Sequence, residues 1–171
     1  MSNFVDVIPK VIAAAPSKKI VGKIRLQKIF YLLDQLGLNG NLRFSYHHYG
    51  PYCEDLSTAI DVAHHSNSSI KEELETAQSH GGKFSVFTTE AAFPSGDSVG
   101  SIDQPHLAEL LRKMTSTSSV VIELAATIHW LKNAEKIELW EPTLKSRKPT
   151  KTTPSNIKKA TALLDELGLA A

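Results

Sequence analysis

Cysteine is nearly missing from this chain of 171 residues, in which Cys53 stands alone. An internal disulfide is therefore excluded, and at this length one hydrophobic core can hold a fold without staples. Long apolar runs are missing as well. Nothing approaches the roughly 18 unbroken apolar residues of a membrane helix, and no charged stretch, apolar segment and cleavage site opens the chain. The expectation is a soluble protein of the reducing cytoplasm with no membrane association. A third absence is a large excess of either charge, the net value being +1. Phosphate contacts supply most nonspecific nucleic-acid affinity, so near-neutrality disfavours a dedicated nucleic-acid binder.

Signatures of catalysis are lacking too. There is no glycine-rich phosphate loop, GxSxG elbow or HExxH pair. Seven histidines are present, but His47-His48 and His64-His65 are adjacent pairs that project in different directions, and neither CxxC nor HxxxH spacing occurs. Cys53 sits where a helix start would favour a thiolate, yet Glu54 and Asp55 oppose a negative charge there, and a small buried cysteine is expected. No catalytic residue, metal or cofactor is predicted.

What is present centres on residues 22 to 56. Leu26, Ile29, Phe30, Leu33 and Leu36 recur at i, i+3, i+4 spacing, predicting a helix over 23 to 35 with Gly37 at a left-handed cap position. Before it, Phe4, Val7, Ile8, Val11, Ile12 and Ala15 predict a helix over 3 to 15 with Pro9 near its first turn. After it, Leu42, Phe44, Tyr46, His48 and Tyr49 roughly alternate, predicting an extended arm over 42 to 49 that ends at Gly50-Pro51. Helical period returns at Leu56, Ala59, Ile60 and Ala63, with Glu54 and Asp55 at the positive end of the helix dipole and a stop by Ser66-Asn67.

Residues 70 to 76 and 83 to 89 flank His80-Gly81-Gly82 as a β-hairpin, and 91 to 103 reads as a loop. A helix over 104 to 114 has Pro105 near its start. The next carries Val121, Leu124, Ala125, Ile128 and Leu131, is apolar over most of its circumference and is predicted to be the most buried. Short helical material around 137 to 144 precedes a last helix that starts at Thr153-Pro154, turns Ile157, Ala160, Thr161, Leu164 and Leu167 inward, and ends at Gly168. Trp130 and Trp140 are expected to pack. The predicted fold class is mostly α (α+β): a single domain over 1 to 171, a compact bundle of about six helices with a small β-hairpin and a winged-helix-like N-terminal half.

Charge is unevenly distributed along this order. Residues 1 to 50 carry seven Lys or Arg against two acids, 51 to 111 carry two against ten, and 112 to 171 carry ten against six. An acidic face and a basic one are expected if the fold keeps these thirds apart.

LQKIFYLLD (26 to 34) followed by YHHYGPYCEDL (46 to 56) resembles the YwgA-like proteins and, more distantly, the SocA-like group, or Panacea domains, of antitoxins and phage-associated proteins. ELAATIHWL and LKSRKP are similar to that family's C-terminal half. The resemblance implies a mostly helical fold with a small hairpin and, in the SocA-like branch, a domain that binds and neutralises or delivers a partner protein, such as a toxin encoded nearby.

The leading expectation is thus a protein-binding module, antitoxin-like or an adaptor, and not an enzyme. Its candidate partner-binding residues are Lys28, Tyr31 and Gln35, placed three and four apart and off the apolar stripe, together with Tyr49, Gly50, Pro51, Tyr52 and Glu54. Alternation assigns Phe44 and Tyr46 to the core. The alternative is a winged-helix-like DNA-binding regulator. In that architecture the groove-reading helix would be 53 to 65, which has Glu54, Asp55 and Asp61 and no Lys or Arg, so phosphate contact would fall to Lys18, Lys19, Lys23, Arg25 and Lys28 or to 145 to 151.

Overall fold

Pro9 decides where the first helix begins. In the computed structural model, which describes residues 4 to 66 and 68 to 170, α1 spans Val7–Ala14 behind a 3-10 turn at Phe4–Asp6. Pro9 then falls in the first turn, where its missing N–H is not needed. The expectations that fall on Asn3 and Asn67, at the ends of the first and third predicted helices, lie outside the described residues.

A 3-10 turn at Pro16–Lys18 leads from α1 to strand β1, Lys19–Val21, and α2 spans Lys23–Leu33. A π turn at Asp34–Leu38 ends α2, with Gly37 at φ +112° and Asn39 left-handed beyond it. The aromatic arm is shorter than its alternation suggests. Only Ser45–His47 forms a strand, β2, and Gly50-Pro51 does not end the extended chain but starts β3, Gly50–Tyr52. Tyr46 pairs with Pro51 in this tight hairpin, whose turn is His48-Tyr49. Helix α3, Glu54–Asp61, continues into a π turn at Val62–Ser66.

Strands β4, Lys71–Thr76, and β5, Lys83–Thr88, form the expected hairpin. Unanticipated is β1, which pairs with the other edge of β5, giving the antiparallel order β1-β5-β4. Phe87 therefore lies opposite Ile20 on one side and Glu72 on the other. Helix, strand, helix, helix, strand, strand, with the first strand beside the last, is a winged-helix order, so the winged-helix-like half expected from three helices and a hairpin gains a strand that was not expected. The β2–β3 hairpin is inserted between its second and third helices.

The segment expected to be a loop holds one small hairpin, β6 (Ser98–Val99) with β7 (Ile102–Asp103). Four helices complete the chain: α4 (Gln104–Thr115), α5 (Ser119–Asn133), α6 (Trp140–Arg147) and α7 (Pro154–Leu167). The starts of α4, α5 and α7 are fixed by side-chain caps. Asp103 accepts from the His106 N–H at 2.9 Å, Ser118 from Val121 at 3.2 Å and Thr153 from Asn156 at 3.1 Å, each satisfying an amide that the first turn leaves without a partner. Gly168, left-handed at φ +78°, ends α7. Helix α5 holds the longest buried run, every residue from 121 to 129 being inside, as its apolar circumference predicts, although α2 is buried over a larger share of its shorter length. It packs against α2 on one side and α7 on another. Buried side chains from Val5 to Leu167 form one continuous core.

Candidate functional site

Buried polar residues, not exposed ones, mark the place where the chain's distinctive segments meet. Glu123 is the one acid in the apolar run of α5, and its side chain is only 2% exposed. Three lysines surround it. Lys151 Nζ approaches Glu123 Oε2 to 2.8 Å as an ion pair, and Lys148 Nζ lies 3.7 Å from the same oxygen. Lys28, from α2, adds the third charge and is 1% exposed.

These lysines also hold the β2–β3 hairpin. Lys28 Nζ donates to the Pro51 carbonyl at 2.6 Å, Lys148 Nζ donates to His48 O at 3.3 Å, and Lys151 Nζ sits 5.1 Å from the centre of the Tyr49 ring, within cation–π range. Gln27 closes the other end: its Nε2 donates to Cys53 O at 3.0 Å and its Oε1 accepts from the Cys53 N–H at 2.9 Å. Gly50 lets the hairpin come this close. Its φ is +97°, and a Cβ there would lie 2.6 Å from Thr127 Oγ1 on α5, so both backbone and space require glycine. The LQK, YGPYC, ELAAT and RKPTK segments thus converge on one buried carboxylate.

The electrostatic cost falls on the lysines. Burial pulls the Lys28 ammonium down to about 8; Glu123 opposes this, while Lys148 and Lys151 reinforce it. Burial lowers Lys148 as well, again opposed by Glu123. Both follow from placing a cation in a low-dielectric interior with less than full compensation.

Beside this centre a cleft of about 250 Å³ opens between α2, α3, the hairpin turn and the β4–β5 sheet. Ile24, Ile60, Phe87, Tyr49 and Tyr52 give it apolar and aromatic walls, and Asp61 and Glu72 line it together with Lys23 and Lys28. Glu72 is held in place, accepting from Ser85 Oγ at 2.7 Å with Lys23 Nζ 3.5 Å away.

The structure divides the sequence-predicted site residues. Tyr49, Gln35 and Glu54 are exposed and Tyr52 is half-buried, with Tyr49 and Tyr52 on the cleft. Lys28 and Tyr31 are not on an open helix face, because α2 is sandwiched between the sheet side and α5 and is buried almost all round; Tyr31, 3% exposed, shares a 2.8 Å hydrogen bond with His129 Nδ1. Gly50 and Pro51 are buried under the same hairpin. Gln35 stands apart from the cleft, beside Tyr31, Phe44 and Trp130. Phe44 and Tyr46 are half-buried against the core rather than inside it. Cys53 is fully buried, as expected. Sequence reasoning missed Glu123, Gln27, Lys148 and Lys151. A single acid inside an apolar helix was the available signal, since such a charge needs buried partners.

Together these features define a mostly helical α+β protein whose winged-helix-like half is tied to its C-terminal helices through a lysine-ringed carboxylate. The chain is similar to the uncharacterized protein YwgA of Bacillus subtilis (strain 168), with 26% identity over 155 residues that make up 88% of this chain and 89% of YwgA. Likeness over most of both chains supports a YwgA-like family. No family model matches the chain, and no solved structure matches it. Among the described residues no helix is long and apolar enough to cross a membrane.

Proposed function

We propose that this protein is a protein-binding module, antitoxin-like or an adaptor, which neutralises or delivers a partner protein in the way its distant SocA-like resemblance implies. The carrying observation is the sign of the face that a winged helix would turn to DNA. Helix α3 exposes Glu54, Asp55 and Asp61, and the adjoining β4 carries Glu72, Glu73 and Glu75 against Lys71. Alternation puts Glu72 on one face of β4 and Glu73 and Glu75 on the other, so both faces of the strand add acid to that of α3, and this charge repels a polyphosphate backbone. Exposed Tyr49 at 44% and Leu74 at 68% stand among these acids, and aromatic and apolar anchors suit a protein surface.

Of the two basic groups that the alternative reading offers to DNA, the segment over 145 to 151 is largely occupied. Arg147 donates to both oxygens of Glu135, at 2.6 and 2.8 Å, and stacks over Tyr46, while Lys148 and Lys151 serve Glu123. The test is affinity purification of the tagged chain from its own host at moderate salt with nuclease treatment, alongside titration with duplex DNA. A stoichiometric, nuclease-resistant protein partner is expected, with no DNA affinity that falls steeply as salt rises. Recovery of DNA without a dominant protein would favour the regulator instead.

A further inference from the structure

We propose that the cleft between α2, α3 and the β4–β5 hairpin receives one large apolar side chain from a partner segment flanked by Lys or Arg. This rests on the protein-binding function above and names the chemistry of the partner. Size is the first ground. At about 250 Å³ the cleft is smaller than the roughly 300 to 1,000 Å³ typical of small-molecule sites, and suits a side chain better than a cofactor.

Lining and charge supply the other grounds. The floor is Ile60 and Phe87, and Tyr49 overhangs the rim. Alternation along β4 puts Leu74 on the same strand face as Glu72, so the exposed Leu74 extends the apolar track out of the cleft. Asp61 lines the cleft, the charge of Glu72 there is partly offset by Lys23 Nζ 3.5 Å away, and Asp61 together with Glu54 and Asp55 gives α3 its exposed negative charge. Opposite charge on the partner steers encounter and fixes register, while the buried apolar anchor carries most of the affinity. A second copy presenting the same face would bring like charges together, which argues against self-association there.

The test pans a phage-displayed library of random 12-residue peptides on the immobilised full chain at moderate salt. Enriched peptides are expected to contain Trp, Phe or Leu with Lys or Arg within three positions. Asp61→Lys and Leu74→Ser alter exposed side chains, so each folds, as circular dichroism would verify. Enrichment is expected to fall at least tenfold on either variant and to persist on Leu139→Ser, an equally solvent-facing leucine outside the cleft. Enrichment of acidic or purely polar peptides, no enrichment, or enrichment that ignores both cleft variants would overturn the proposal. These results leave protein binding elsewhere on the molecule intact, because that function is decided by the affinity purification.

Discussion

A lysine is an unusual choice for the inside of a protein, and Lys28 carries consequences that an exposed lysine would not. Folded, its ammonium titrates at about 8; unfolded, it returns to the ordinary 10.5. Below about 8 both states hold the proton, and the folded state bears the full penalty of a buried cation. Between the two values the unfolded chain binds a proton that the folded chain does not, so stability must rise with pH across that window. The expected gain is about 1 kcal/mol from about pH 7.5 to about pH 9, read from urea denaturation midpoints. Lys148 is lowered in the same direction by burial, so its contribution has the same sign. Lys28→Met should lose the Lys28 share; a mutant whose midpoint still climbs as steeply as the parent would show that the ammonium is not held as described. The sequence hid this residue for a physical reason. Apolar spacing locates one buried stripe on a helix, but α2 is covered from several sides, and a polar residue off the stripe is then interior too.

At the level of elements, the β2–β3 hairpin depends on one glycine. Gly50→Ala must adopt a positive φ and place a methyl group against Thr127 Oγ1, and the expected cost is about 2 kcal/mol or more. Thr127→Ala removes the collision but not the backbone strain. In that background Gly50→Ala should therefore cost less without becoming neutral, a coupling that a double-mutant cycle by chemical denaturation measures directly. Helix positions, caps and the β4–β5 pair were legible in the sequence because period, N-cap residues and turn residues are local signals. Strand β1 was not, since its three residues, Lys19, Ile20 and Val21, hold only one inward side chain and owe their conformation to pairing with β5. The hairpin strand β3 was obscured in the same way. Gly-Pro reads as a terminator unless Lys28 and Thr127 are known to lie beneath it.

For the molecule as a whole, α5 joins the two halves, touching α2 on the winged side and α7 on the other. One continuous core leads to the expectation of a single cooperative unit. Leu164, 3% exposed on α7, tests it: Leu164→Ala should cost about 2 to 5 kcal/mol and raise hydrogen exchange in α2 and β5 along with α7. Faster exchange confined to α6 and α7 would mean that the C-terminal helices open alone. The separation of charge along the chain was legible, and it survives folding on the acidic side, where α3 and β4 adjoin. On the basic side it does not, because residues 147 to 151 turn their charges toward Glu135 and Glu123. Spacing alone could not reveal that, since both acids lie on other elements.

The packing of α2 against α5 also sets the order of events during synthesis. A ribosome releases the chain from its N-terminus, so α1 to α3 and the β4–β5 pair emerge before the helix that covers them. Completing α5 takes about a hundred residues after α2 ends, or roughly 5 to 20 s at cellular elongation rates. Throughout that interval the side of α2 destined for α5 has no covering partner, and Lys28 is without its counter-ion. The nascent winged half therefore keeps this side of α2 uncovered, and the interval closes only when the α5 segment with Glu123 arrives.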